Sequence, residues 1–136
     1  MESILPFFDQ LVRLQIELWN AVDERLRVEH DLRLGSFQVM QVVARGDCRV
    51  NDIADDMVIT IGGASKLVDR LEASGRVVRR SNPDDRRSSL IALTPLGTTL
   101  FAAATATAES ELAARLGSPT DLSRLTAELT SLRGAL

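Results

Sequence analysis

Residues Thr60 to Gly97 read TIGGASKLVDRLEASGRVVRRSNPDDRRSSLIALTPLG, and two punctuation marks divide the stretch: Ser74-Gly75 and Asn82-Pro83-Asp84. Before the first, Ala64, Leu67, Val68 and Leu71 recur at three- and four-residue spacing, which predicts an amphipathic helix with one apolar face. Ser74-Gly75 stops it, since glycine takes the backbone conformation that closes a helix C-terminus. After Gly75 the period changes. RVVRR and SLIALT are rich in strand formers and flank SNPDDRRS, where Pro83 fixes a turn torsion and Asn82 or Asp84 accepts local backbone bonds. A two-stranded hairpin results, with Arg86 and Arg87 at or just past its tip. Thr94-Pro95 then opens a further helix with a capping hydroxyl and proline at the first helical position. One feature resists this order. Gly62 and Gly63 fill the first turn of a helix that otherwise reads firmly from Ala64, at a cost of up to about 2 kcal/mol against two alanines.

Upstream, Ile4 to about Arg27 reads as a long helix with two apolar sets. Ile4, Phe8, Leu11, Leu18, Val22 and Leu26 form one; Leu5, Val12, Ile16 and Trp19 form the other. Such a helix must be covered on two sides. EHDLRLGS breaks it, and His30 falls in that break. Ser36 is placed to cap a second helix bearing Phe37, Val39, Met40 and Val43, which Gly46 closes. Asn51 is placed to cap a short third helix with Ile53, Ala54 and Met57 inward, and VIT links it tightly to the helix at Ala64. Three short helices in close succession are the pattern of a helix-turn-helix unit, and a hairpin packed directly behind one is a wing, since a hairpin alone is marginal. Downstream, a small-residue helix runs from Thr94-Pro95 to Gly117. Ser118-Pro119 then repeats the start signal for a last helix carrying Leu122, Leu125, Leu129, Leu132 and Leu136 on one stripe.

The chain has 136 residues, enough for one domain with a real core, and its 45% apolar and 26% charged content is ordinary for a soluble globular protein. No apolar run reaches the length of a membrane span, and MESILPFFDQL lacks the basic leader and cleavage site of a secretory signal. A single cysteine, Cys48, fits a reducing compartment, so the expected location is the cytosol. One histidine, no tyrosine and one cysteine leave neither a metal-ligand cluster nor a nucleophile–base pair, which argues against an enzyme and calls for no cofactor. The net charge of −3 is unevenly spread. Residues 1–59 hold six arginines against eleven acids, whereas residues 60–93 hold seven cations against four acids. That asymmetry points to a local basic surface; a merely solvated charged face is the competing reading.

These residues together resemble the MarR family of winged-helix transcriptional regulators. The likeness lies in LVDRLE followed by two residues and Gly75, the V-x-R of the first wing strand, the PDDRR tip and the L-T-x-x-G that leads into the next helix. Looser similarity covers LRLGSFQVMQVV and VNDIADDMVIT. The resemblance implies a mainly α fold over residues 1–136. Its winged helix-turn-helix with a small β-hairpin wing lies at about 32–97, and dimerisation helices at about 1–30 and 95–136 flank it. It implies a homodimer that binds double-stranded DNA at a pseudo-palindromic operator, two recognition helices addressing half-sites about one turn, roughly 10 bp, apart. A repressor released by a small ligand is the expected regulator. The rival reading is a winged-helix module for protein contact with weak or no DNA binding, which the overall acidity and the glycine pair keep open.

By that resemblance, Thr60, Gly62, Gly63, Ser65 and Lys66 begin the recognition helix. Ser65 and Lys66 are candidates for base or phosphate contact and Arg70 for backbone contact. The first acid after Thr60 is Asp69, and the positive end of the helix dipole favours phosphate. Arg86 or Arg87 is expected in a minor groove, with Asp84 or Asp85 pairing an arginine to stiffen the tip. Two positions depart from the family. Relatives often carry Ser or Thr where Gly62 and Gly63 stand, so the pair either lets the backbone approach DNA closely or eases the bend after VIT. Asp52, Asp55 and Asp56 stand where relatives are often neutral or basic, and are expected to turn from phosphate. Family ligands are often small, aromatic and anionic, and Arg13, Trp19, Phe37 and Met40 are the candidates to line their pocket, with a core role favoured for the last three. Cys48 reads as a surface thiol without function, redox sensing being the lesser alternative.

Overall fold

In the computed structural model, which describes residues 2–117 and 121–136, Thr60 starts the decisive helix. Its hydroxyl accepts the Gly63 N–H at 3.0 Å, and α4 runs Ile61–Ala73. The helix therefore begins three residues before Ala64 and includes both glycines in its first turn. Before it come α1 (Leu5–His30), α2 (Leu34–Ala44) and α3 (Val50–Met57). After it come β1 (Val77–Ser81), β2 (Ser89–Leu93), α5 (Pro95–Leu116) and α6 (Leu122–Gly134). The expected helix start at Ser118-Pro119 lies outside the described residues. No described helix is long and apolar enough to cross a membrane.

Helices α2, α3 and α4 close around one core with α1, α5 and the hairpin, and its largest fully buried side chains include Leu26, Leu32, Met40, Ile53, Leu71 and Ile91. Ala64, Val68 and Leu71 of α4 are buried as the spacing requires, and Ile53 and Ala54 of α3 likewise. The antiparallel hairpin pairs Val77 with Leu93 and Ser81 with Ser89. Cys48 adds a single bridge to its free edge, exchanging backbone bonds with Ile91 at 2.7 and 3.3 Å. The thiol is thus half-buried against the core, where a surface position was expected.

Two helix starts differ from expectation. Ser36 caps nothing; it is buried inside α2, whose first N–H, from Leu34, is taken by Asp23 Oδ1 of α1 at 2.9 Å. Asn51 lies within α3, and Asp52 instead reaches back to accept the Arg49 N–H at 2.9 Å. α1 also runs three residues past Arg27. Asp31 closes it in a left-handed conformation, and His30, in the last turn, bonds Thr107 of α5 at 2.8 Å. α1 packs mainly on α5, and Arg25 bridges the two helices to Glu111 at 3.4 Å.

The junction of wing and α5 depends on Gly97. A Cβ there would overlap the Arg76 carbonyl oxygen, so only glycine fits. Thr94 fastens the same corner, donating its hydroxyl to the Gly75 carbonyl at 2.6 Å and accepting the Gly97 N–H at 3.0 Å. By contrast α6 buries none of its residues, and the N-terminal half of α1 is apolar and exposed, Phe7 and Phe8 at 60% and 57%.

Candidate nucleic-acid interface

With Ala64, Val68 and Leu71 inward, α4 turns Gly62, Lys66, Asp69 and Arg70 to the surface, Ser65 half-buried at the margin. Two of its surface groups, Asp69 and Glu72, would repel phosphate if left alone. Arg79 of β1 binds both, at 2.8 and 2.6 Å. The guanidinium is held in its charged form more firmly than usual, first by the bond to Asp69 and then by Glu72. Lys66 and Arg70 are thereby left as α4 cations with no carboxylate in ion-pair range among the described residues. Thr60 uses its side-chain oxygen as the cap, which also fixes the backbone of the first turn.

The third-helix acids are largely neutralised too. Asp56 pairs with Arg45 at 3.2 Å, and Asp52 with Arg49 at 3.6 Å. Backbone bonding from Arg49 holds Asp52 below the ordinary carboxylate range. Asp55 is exposed.

At the wing tip the expected aspartate–arginine pair is replaced by backbone capture. Buried Asn82 donates to Ser88 Oγ at 3.1 Å and accepts the Asp84 N–H at 3.0 Å. Asp85 Oδ1 accepts the Arg87 N–H at 2.9 Å. Among the described residues neither Asp84 nor Asp85 lies within ion-pair distance of an arginine. Short side chains that bond their own turn brace it at less entropic cost than a long arginine would. Arg86 and Arg87 are consequently exposed and uncommitted at their guanidinium ends. Asn82 does what the Asn-Pro-Asp turn signalled, accepting a local backbone bond, whereas Arg79 was the residue missed, and nothing local signalled it.

The expected ligand residues separate. A cavity of about 400 Å³ between α1, α2 and α5 has Trp19, Phe37, Leu112, Thr105 and Glu109 in its wall. Phe37 is also core, stacked on Phe101 with ring centroids 5.5 Å apart. Trp19 is 37% exposed, so it is a wall rather than core, while Met40 is fully buried and does not line the cavity. Arg13 is exposed, bonded to its own helix at the Asp9 carbonyl, and does not line it either. Among the described residues the buried Thr105 hydroxyl has no hydrogen-bond partner. Burial, with Asp52, Asp47 and Asp56 nearby, pushes the Cys48 thiol up, opposite to what a redox sensor needs. Among the described residues no group of three or more His, Cys, Asp or Glu is disposed to hold a metal.

A three-helix core whose last two helices meet through a tight turn, with a hairpin behind them, defines a winged helix-turn-helix. The family model described as "MarR family" matches residues 30–88. The chain is 33% identical over 72 residues to YfiV, an uncharacterized HTH-type transcriptional regulator of Bacillus subtilis (strain 168); the match covers 52% of this chain and 45% of YfiV, so it spans about half of that relative. In structure it is similar to BldR, a transcriptional regulator of Sulfolobus solfataricus, with a TM-score of 0.93 over 100% of both chains at 19% identity. CouR of Rhodococcus jostii RHA1, solved with p-coumaroyl-CoA, gives 0.85 over 97% of this chain and 95% of that one at 28% identity. A CouR repressor structure on a 23-mer DNA duplex gives 0.78 over 99% and 98% at 21% identity. Over residues 30–88 the chain is therefore similar to the MarR family.

Proposed function

We propose that the chain is a sequence-specific DNA-binding transcriptional regulator that binds a pseudo-palindromic operator as a homodimer and is released by a small ligand. The observation that carries it is the charge arrangement: Arg79 silences Asp69 and Glu72, leaving Lys66 and Arg70 on one helix and Arg86 and Arg87 on the wing beside it. The N-terminal half of α4, Thr60, Gly62, Gly63, Ser65 and Lys66, addresses the major groove, and the wing arginines the minor groove. Arg70 takes a backbone phosphate. CouR's structures with DNA and with p-coumaroyl-CoA support both halves of the reading. Apolar surface on α1 and α6 supports a dimer joined through residues about 1–30 and 95–136.

Titration against the chain's own promoter DNA at several salt concentrations tests it. Affinity is expected to fall linearly in log–log form, with a slope set by the phosphates neutralised. Arg86→Ala is expected to weaken binding by about 1–3 kcal/mol. Binding that is absent, or indifferent to salt, sinks the proposal in favour of a protein-contact module.

A further inference from the structure

We infer that Ile61 reads the methyl group of a thymine in the major groove, so that an apolar contact in the first turn of α4 helps to fix each half-site. That role rests on the DNA-binding regulator proposed above and names a base that its operator must contain. Outside α1, α5, α6 and the chain ends, the exposed large apolar side chains among the described residues are Val58, Ile59 and Ile61, at 75%, 38% and 56%. All three are β-branched, and all three lie in the link from α3 into α4. Val58 even holds a left-handed φ of 58°, where glycine or asparagine is the usual residue. It borders a hollow on the α2 side with Gln38, Arg45 and Asp56. Ile61 is the member of the patch that α4 itself carries.

By spacing, Ile61 continues the row of Ala64, Val68 and Leu71, yet the core ends at Ala64 and leaves it exposed. The Cα–Cβ bonds of a helix tilt toward its N-terminus, so a first-turn side chain projects past the end that enters the groove. Its neighbours offer no rival reader. Thr60 has its hydroxyl oxygen on the Gly63 N–H at 3.0 Å, Gly62 and Gly63 have no side chain, and Ala64 is buried. At Gly62 nothing stands within 4 Å of where a Cβ would be, so no side chain holds base edges away from Ile61. Ser65 and Lys66, one turn on, are the next side chains able to hydrogen-bond.

An alkyl side chain recognises one group in the major groove, the C5 methyl of thymine. Set against the polar edge of another base, it would strip water from donors or acceptors and return no bond. Charge selects DNA over a protein partner as the occupant of the patch. It is continuous with Lys66 and Arg70 on the same helix, and the acids that would repel phosphate, Asp69 and Glu72, are held by Arg79. The first turn thus reads by shape and methyl, and the cations beyond it supply the attraction to the backbone.

Two forms of one promoter fragment test this, one amplified with dTTP and the other with dUTP, since uracil keeps the hydrogen-bonding edge of thymine and lacks its methyl. The wild-type chain and Ile61→Ala are titrated with each at a single salt concentration. Burial of one methyl corresponds to about a fourfold change in affinity, so the wild type is expected to prefer the thymine form by about fifteenfold over two half-sites. Ile61→Ala is expected to lose most of that preference and to bind the thymine form about as weakly as the wild type binds the uracil form. Its melting temperature should not fall, because Ile61 is exposed and alanine is the better helix former. A wild type that binds both forms alike overturns the inference. So does a preference that Ile61→Ala retains in full, whatever its overall affinity, which would put the methyl contact on another side chain and free Ile61 for a protein contact. Either result leaves the regulator reading standing. Failure to bind either form overturns that reading, and this inference with it.

Discussion

Gly62 stands in helical conformation in the first turn of α4, with open space where a side chain would project. The protomer has no packing need for it. Val58, which opens VIT, closes α3 in a left-handed conformation with a φ of 58°, and Thr60 enters α4 extended. Gly63 is different, because a Cβ there would press to 3.1 Å on the Thr60 cap oxygen. Open space at Gly62 alone is what close approach of a nucleic-acid backbone would use. Gly62→Ala is therefore expected to raise the free energy of unfolding by about 1 kcal/mol in urea titration, from helix propensity alone, and to weaken DNA binding. Stabilisation with unchanged DNA affinity would remove close approach as the reason for the glycine. Cys48 gives a second residue-scale expectation. Its raised thiol pKa means less thiolate at any pH near 8 than a free cysteine has, so alkylation by iodoacetamide is expected to be slower and to climb only at higher pH. Sequence placed this thiol on the surface because the backbone bridge to Ile91 joins residues 43 apart, beyond the reach of any local pattern.

At the scale of elements, what was legible depended on whether the partners were neighbours in sequence. The recognition helix, its Gly75 stop, the hairpin and the Thr94 cap were all readable, since each rests on side chains within a few residues of the groups they serve. The starts of α2 and α3 were misassigned because Asp23 reaches across 11 residues to Leu34, and because an acid inside the first turn of α3 serves the Arg49 N–H. Asp69 and Glu72 were visible in the sequence as acids in the second half of α4, but what neutralises them was not. The answer lies in another element: Arg79 projects from β1 across both carboxylates. Arg79→Ala is expected to lower operator affinity by about 1 kcal/mol, although Arg79 is assigned no DNA contact, because two uncompensated charges would then face the phosphates. Competition assays at low and high salt check it. The loss should shrink as salt screens the exposed acids, and a loss that persists undiminished would mean that Arg79 itself touches DNA or holds the wing in place.

For the molecule as a whole, the unmatched apolar surface decides what the protomer needs. Two apolar sets on α1 and a leucine stripe on the last helix were legible in the sequence, with packing of one on the other left open. In the structure Leu26 and Val22 at the C-terminal half of α1 reach the core, while Ile4, Phe7, Phe8 and Leu11 do not, and Leu122, Leu125, Leu129 and Leu132 are all 44–55% exposed. A stripe of this kind on a helix that buries nothing in its own protomer is the surface the proposed dimer would use. It also bears on affinity: each protomer offers one α4 and one wing, and joining two of them turns the second half-site into an intramolecular encounter. The double substitution Leu125→Asp, Leu129→Asp is expected to convert a species of twice the chain mass in sedimentation into one of the chain mass. It should cost on the order of 10²-fold in operator affinity while leaving binding to an isolated half-site nearly unchanged. A wild-type chain that sediments as a monomer at micromolar concentration and still binds the full operator tightly would show that α1 and α6 serve some other contact.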